Sequence, residues 1–173
     1  MATTTLATPA GPLTLVADGK TVLAAGFTAE PAEMIARIHP DLRPRAVHDA
    51  DLDALAATVT AYFDGDLTAI DGVDVVQRSG PFIQIAWDAL RKVPAGEPVT
   101  YTDLALRAGR PAAIRAAAQA CARNAIALFV PCHRIVRTDG TLAGYLYGLD
   151  VKRWLLAHER RQQPEALPVP PIG

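Results

Sequence analysis

Cysteine is scarce in this chain of 173 residues: there are two, Cys121 and Cys132. Two cysteines exclude a disulfide framework, and neither CxxC nor CxxxC spacing occurs to suggest a thiolate zinc site. His39, His48, His133 and His158 show no metal-ligand spacing either, so no metal and no other cofactor is expected. No apolar run approaches the roughly 20 residues that span a bilayer. The opening Met1-Ala-Thr-Thr-Thr5 lacks the basic stretch and apolar core of a secretory signal. The expectation is a cytoplasmic protein with no membrane partner. Biased repeats and long polar tracts are missing as well, and 50% of the residues are hydrophobic. Such a chain suits one medium domain or two small ones, with a core that needs no disulfide or metal.

Charge is close to balanced but unevenly placed. Residues 1–80 carry a net −6 and residues 81–173 a net +5. A basic second half beside an acidic first half suggests that only the second faces a polyanion. Chance clustering on solvated faces accounts for the numbers equally well, so the residue pattern has to decide.

Apolar runs at 13–16 and 22–27, separated by Asp18-Gly19, read as a hairpin. Residues 30–38 and 52–63 read as helices, the second with Leu52, Leu55, Val59 and Tyr62 at helical spacing. An acidic link over 71–80 leads to Pro81. This places an α/β domain over 1–79, a small antiparallel sheet with helices, before a mainly α domain over 80–163. In the latter, a helix over 82–93 carries Phe82, Ile85, Ala86, Leu90 and Val93 on one stripe. Thr100 and Asp103 fit a capping box opening a helix that stops at Gly109. Pro111 suits the first turn of another helix, and the pair matches a helix-turn-helix. Over 111–123, Ile114, Ala117, Ala118 and Cys121 fall on the expected inner face. Ala112, Arg115, Ala116, Gln119 and Arg123 fall on the outer one, whose small side chains permit close approach to nucleic acid. Residues 126–130 read as a buried strand, and 151–159 as a last helix. The proline-rich 164–173 reads as a disordered tail.

Cys132-His133 sets a thiol beside a base, the arrangement that turns a thiol into a nucleophilic thiolate. On a regular strand the two side chains would point to opposite faces, so they could cooperate only at a bend, which Pro131 supplies, or through water. A histidine base usually needs a third group to fix its tautomer. Glu159 is one candidate that spacing alone does not select. On these residues alone, a buried structural thiol is the somewhat stronger reading of Cys132.

Pro131-Cys-His-Arg-Ile-Val136 resembles the active-site hexapeptide of the O6-alkylguanine-DNA alkyltransferases, the methylated-DNA–protein-cysteine methyltransferases. Tyr101, Arg115, Asn124, Gly144-Tyr145, Gly148 and Glu159 fall around it in the family's order and spacing. Weaker likeness runs through Thr8–Leu15, Tyr62–Leu67, and Pro81-Phe82 with Trp87. The resemblance implies DNA repair by irreversible, stoichiometric transfer of an alkyl group to Cys132. The donor would be O6-alkylguanine, and also O4-alkylthymine, in double-stranded DNA, bound through the minor groove and flipped from the stack. By the same resemblance His133 would deprotonate Cys132 through a water and Glu159 would orient His133. Tyr101 would donate a proton toward N3 of guanine and crowd the rotating phosphate. Arg115 would fill the gap in the base stack, with Ala112, Ala116, Gln119 and Arg123 also against DNA. Asn124 and Arg134 would support the site, and Gly144, Tyr145 and Val136 would wall the alkyl pocket.

The chain departs from the family at Ala125, where many members have proline, and at Ile114, where alanine is frequent. Its first half lacks cysteines for the zinc site of some members. Cys121 is read as a core residue. A non-catalytic alkyltransferase-like lesion binder is the alternative, and the presence of Cys132 argues against it. Monomer is the default, with clustering on DNA left open. Glu159→Gln is expected to keep the fold and to raise the pKa of Cys132.

Overall fold

Asp18-Gly19 turns the chain as its sequence suggests, with Gly19 at a φ of 60°. It joins β2 (Gly11–Asp18) to β3 (Thr21–Gly26), in a computed structural model that describes residues 1–161. The segment expected to be a disordered tail lies outside the described residues. A further strand, β1 (Ala2–Thr8), pairs antiparallel with β2, and the two-residue β4 (His48–Asp49) adds in parallel to β1. The sheet order is β3-β2-β1-β4, mostly antiparallel as expected. Strand β2 is buried on both faces. Leu13, Leu15 and Ala17 join the main core, while Val16 packs with Leu23, Ala24, Met34 and Ile38 beneath α1 (Pro31–Arg37). The α2 helix (Asp53–Phe63) buries Leu55, Val59 and Tyr62. No helix among the described residues is long and apolar enough to cross a membrane.

The second half is helical. In α3 (Pro81–Arg91) the buried stripe is Ile83, Ala86, Trp87, Ala89 and Leu90. Ile85, expected inside, is 50% exposed. Trp87 decides this rotation: its ring buries the largest area on the helix, and its Nε1 donates to Ala120 O at 2.8 Å. The α4 helix (Tyr101–Arg107) opens on the expected capping box, with Thr100 and Asp103 each bonding the other's backbone amide at 3.1 Å. Thr100→Ala should therefore cost about 1 kcal/mol, read as a lowered urea midpoint with an unchanged slope.

The helix-turn-helix forms around Gly109, at a φ of 83°, but its second helix starts later than expected. Residues 111–113 form a turn, and α5 runs Ile114–Arg123. Ala112 thus lies ahead of the helix, not on its outer face. The inner face is also rotated. Ala117 and Ala120 are buried, while Ile114 is 42% exposed. The smallest side chains face α3 and α4, and this lets the backbones approach closely where a branched residue would hold them apart.

Residues 126–130 are not a strand. Only Ile126 bridges to Ala25 of β3, and the chain then turns with Leu128 at a φ of 70°. The Asn124 side chain causes the difference by accepting from Ile126 N and donating to Val130 O, so it holds the segment curled. The left-handed Leu128 costs roughly 1–2 kcal/mol, and its complete burial holds it in place. The chain continues through a single 3-10 turn, Cys132–Arg134, into β6 (Ile135–Val136). That strand pairs in parallel with β5 (Val99–Thr100). The last helix, α6, is Leu149–Arg161. One continuous core joins Leu15 and Tyr62 of the first half to Leu90 and Leu155 of the second.

Candidate active site

Cys132 and His133 lie in the 3-10 turn that follows Pro131, which sends His133 into the core and leaves Cys132 on a cavity wall, with no hydrogen bond between the two side chains among the described residues. His133 is fully buried. Its Nε2 lies 2.6 Å from Glu159 Oε1. Burial pushes the imidazole pKa down, against the opposing pull of the Glu159 carboxylate, and so favours the neutral ring. With Nε2–H donating to the carboxylate, Nδ1 keeps a lone pair that has no partner among the described residues.

Glu159 is the anchor of this cluster. It is fully buried on α6. Arg134 donates to both its oxygens, from Nε at 3.2 and 3.1 Å and from Nη2 at 2.9 Å, and sends Nη1 to Val93 O at 2.8 Å. Tyr62 Oη donates to Oε1 at 2.9 Å. Burial alone would raise the Glu159 pKa, but His133 and Arg134 hold it well below the usual carboxylate range. Burial, with Glu159 adding to it, pushes the Tyr62 phenol up.

Asn124 organises the other side. Its Nδ2 donates to Val130 O at 2.8 Å and to Cys132 Sγ at 3.3 Å, while its Oδ1 accepts from Gln77 Nε2 and Ile126 N. Burial raises the Cys132 thiol pKa, and the Asn124 bond and the nearby Lys152 ammonium counter it.

Cys132 opens on a cavity of about 330 Å³, bounded by Arg37, Tyr101, Cys121, Asn124, Gly144, Tyr145 and Tyr147 among others. The volume falls in the range of small-molecule sites. Burial pushes the Tyr101 phenol up to about 12, so it stays a proton donor. Tyr147 approaches over Gly26, where a Cβ would collide with its hydroxyl and with Met34. Arg37 of α1 donates to Ala122 O and Asn124 O, so the first half of the chain helps fix the wall.

The structure therefore brings together Cys132, Asn124, Tyr101, Gly144 and Tyr145, and joins His133, Arg134 and Glu159 behind them. Val136 is not among the cavity's lining residues. In β6 it pairs with Thr100 of β5, and it lines a separate hollow with Gly140, Leu142 and Leu156. Cys121, read as a core residue, is half-buried and lines the cavity. On α5, Arg115, Gln119 and Arg123 are exposed and Ala116 half-exposed. Tyr62, Lys152, Gln77 and Tyr147 belong to the site without having been singled out. Lys152 could have been noticed, because it shares the inward stripe of α6 with Leu155, Leu156 and Glu159.

A cysteine bonded by an asparagine amide, beside a buried histidine–carboxylate pair and on the wall of a pocket, is the constellation of a thiolate nucleophile. Comparison with known proteins gives that class its family. Residues 1–75 match the ribonuclease-like domain, and 81–161 the DNA binding domain, of 6-O-methylguanine DNA methyltransferase. The methylated-DNA–protein-cysteine methyltransferase of Salmonella typhimurium is 37% identical over 158 residues, covering 89% of this chain and 92% of that protein. The Mycobacterium tuberculosis OGT, solved in complex with DNA, superposes with a TM-score of 0.80 at 31% identity. That match covers 95% of this chain and 96% of the other. The chain belongs to the 6-O-methylguanine DNA methyltransferase family, whose members transfer methyl groups from DNA to a cysteine of their own.

Proposed function

We propose that this chain repairs O6-alkylguanine in double-stranded DNA by moving the alkyl group onto Cys132, once per molecule. The observation that carries the reading is the Cys132 thiol, bonded by Asn124 at 3.3 Å on the wall of a partly open cavity. His133, neutral and with Nδ1 free of protein partners among the described residues, takes the thiol proton through a bridging water. Glu159 steadies the imidazolium that results. The thiolate attacks the alkyl carbon in line. A carbon–sulfur bond forms as the carbon–oxygen bond breaks, and the electron pair leaves on the purine. Tyr101 supplies the proton that neutralises the departing guanine at N3. The thioether product is stable, so nothing regenerates the thiol.

O6 lies inside the base pair, so the nucleotide must leave the stack at a cost of a few kcal/mol. Arg115 is exposed at the start of α5, where it can enter the minor groove and fill the gap, with Ala116, Gln119 and Arg123 tracking the backbone. O4-alkylthymine presents a similar alkyl–oxygen bond and fits the same chemistry. Arg115→Ala should slow repair of a methylated duplex by roughly tenfold or more. Transfer from a free O6-alkylguanine base, which needs no flipping, should change little. Equal losses on the two substrates would place Arg115 in the pocket or the fold instead. The reading as a whole is tested by mixing the protein with excess duplex bearing O6-methylguanine. One methyl group per protein molecule, transferred in a single burst, is expected, and repeated turnover or no transfer refutes it.

A further inference from the structure

The bonds that place an N–H on the Cys132 sulfur begin at Gln77, in the connection between the two halves of the chain. Gln77 is half-buried, and its side-chain amide is bonded at both ends. Its Oε1 accepts from Ala125 N at 3.0 Å, and its Nε2 donates to Asn124 Oδ1 at 3.0 Å. A backbone N–H can only donate, so Ala125 fixes which end of the Gln77 amide faces it. Gln77 then presents an N–H to Asn124, whose amide oxygen turns toward it and whose nitrogen turns away. That nitrogen donates to Val130 O at 2.8 Å and to Cys132 Sγ at 3.3 Å. A relay thus runs from one backbone N–H through two side-chain amides to the nucleophile. Ile126 N also donates to Asn124 Oδ1, at 3.1 Å, and supports the same orientation.

We propose that Gln77 is a positioning residue of the alkyl-transfer site, orienting and polarising the Asn124 amide so that it favours the Cys132 thiolate. The inference rests on the alkyl-transfer reading above. An amide whose oxygen accepts a second bond donates more strongly at nitrogen, because hydrogen bonds in a chain polarise one another. A stronger N–H bond to sulfur favours the anion over the thiol. The relay can start only if residue 125 carries an N–H, and this is the position where the chain has alanine in place of the proline of many family members. A proline there would leave Gln77 Oε1 without its donor. The other groups around the thiol that carry or gain charge are His133, Arg37 of α1, Tyr101 of α4, Cys121 of α5, Tyr145 and Tyr147 of the wall, and Lys152 of α6. All but Cys121 stay unchanged in the variants below. The competing role is mechanical, a tie that pins the connection to the 124–126 turn and leaves the thiol unaffected.

The test follows the rate at which a small haloacetamide alkylates Cys132 against pH, in a Cys121→Ala background so that one thiol is observed. Gln77→Met, similar in length but without the amide, should raise the thiol midpoint by about half a pH unit, roughly threefold less thiolate at neutral pH. Ala125→Pro should raise it too, and adding Gln77→Met should then change little, because the two residues act in one chain. The backbone at Asn124, with φ −62° and ψ 116°, already has the extended form that precedes a proline. A folded Gln77→Met protein with an unmoved midpoint leaves only the tie and overturns the proposal, as does full additivity of the two substitutions. Should Gln77→Met fail to fold, the Gln77 side-chain amide signals are followed by NMR through the Cys132 titration in the Cys121→Ala protein. They should shift at the thiol midpoint, and unmoved signals refute the relay. Neither measurement uses damaged DNA, so failure here is distinguishable from failure of the alkyl-transfer reading.

Discussion

Replacing Cys132 with alanine is expected to abolish alkyl transfer while leaving the protein folded and able to bind DNA. The sulfur is the sole atom of residue 132 that can form the new bond, so the loss should be complete and not merely large. Asn124 loses one acceptor but keeps Val130 O on the same Nδ2 and both donors to its Oδ1. The curled 126–130 segment and α5 should therefore hold their positions. The surface proposed to meet DNA, from Arg115 to Arg123, has no part in the substitution. Affinity for duplex DNA should change by no more than about threefold, measured by fluorescence anisotropy beside a transfer assay. Residual transfer to the Cys132→Ala protein would mean that another group accepts the alkyl, and Cys121 on the same cavity would be the first to examine.

Glu159→Gln is expected to unfold much of the protein's margin of stability, contrary to what its place in the sequence suggests. The carboxylate accepts from Tyr62, His133 and Arg134 in a pocket without water-exposed surface. An amide presents two N–H donors toward groups that are themselves donors. It also leaves the Arg134 guanidinium, 2% exposed, without its counter-charge. Breaking a buried pair in this way costs about 3–5 kcal/mol, on the order of 10 °C in Tm for a chain of this size. Transfer would then fall for two reasons, and stability has to be measured first.

The pH dependence has a definite sign. His133 has a folded pKa below its unfolded value of about 6.5, and Glu159 one below about 4.3. In both cases the unfolded chain binds the proton more readily, so stability is present above those values and is lost as the pH falls through them. Thermal melts of the parent between about pH 8 and pH 4 should show a decline beginning near 6.5 and steepening near 4.3. The Glu159→Gln protein should start lower and lack the second decline. Equal melting temperatures for the two proteins would remove Glu159 from the structural core.

Local signals in the chain were dependable where local physics governs. The Asp18-Gly19 hairpin, the Thr100–Asp103 capping box and the Gly109 turn each depend on a few adjacent residues, and each is where its residues put it. What eluded the sequence depends on distant partners. Ile114 looks like an inward residue until α3 and α4 demand alanine at the contact. Residues 126–130 look like a strand until the Asn124 amide takes up the backbone groups that a neighbouring strand would use. β4 and the β5–β6 pair are two residues each, too short for any periodicity. Within the site, the family resemblance pointed to Cys132, His133 and Glu159, and the fold sets His133 against Glu159 and Cys132 on the cavity wall. Tyr62 and Lys152, 97 and 7 residues from Glu159, entered only when the fold brought Tyr62 Oη to Glu159 and Lys152 Nζ to Ala143 O.

The central claim is that one sulfur accepts the group. It is tested most directly by digesting the unmutated protein after reaction with DNA containing O6-methylguanine and locating the added mass in its peptides. The account predicts one methyl group, on the peptide carrying Cys132, with Cys121 unmodified. A methyl group on Cys121, or an unmodified protein beside demethylated DNA, would contradict it.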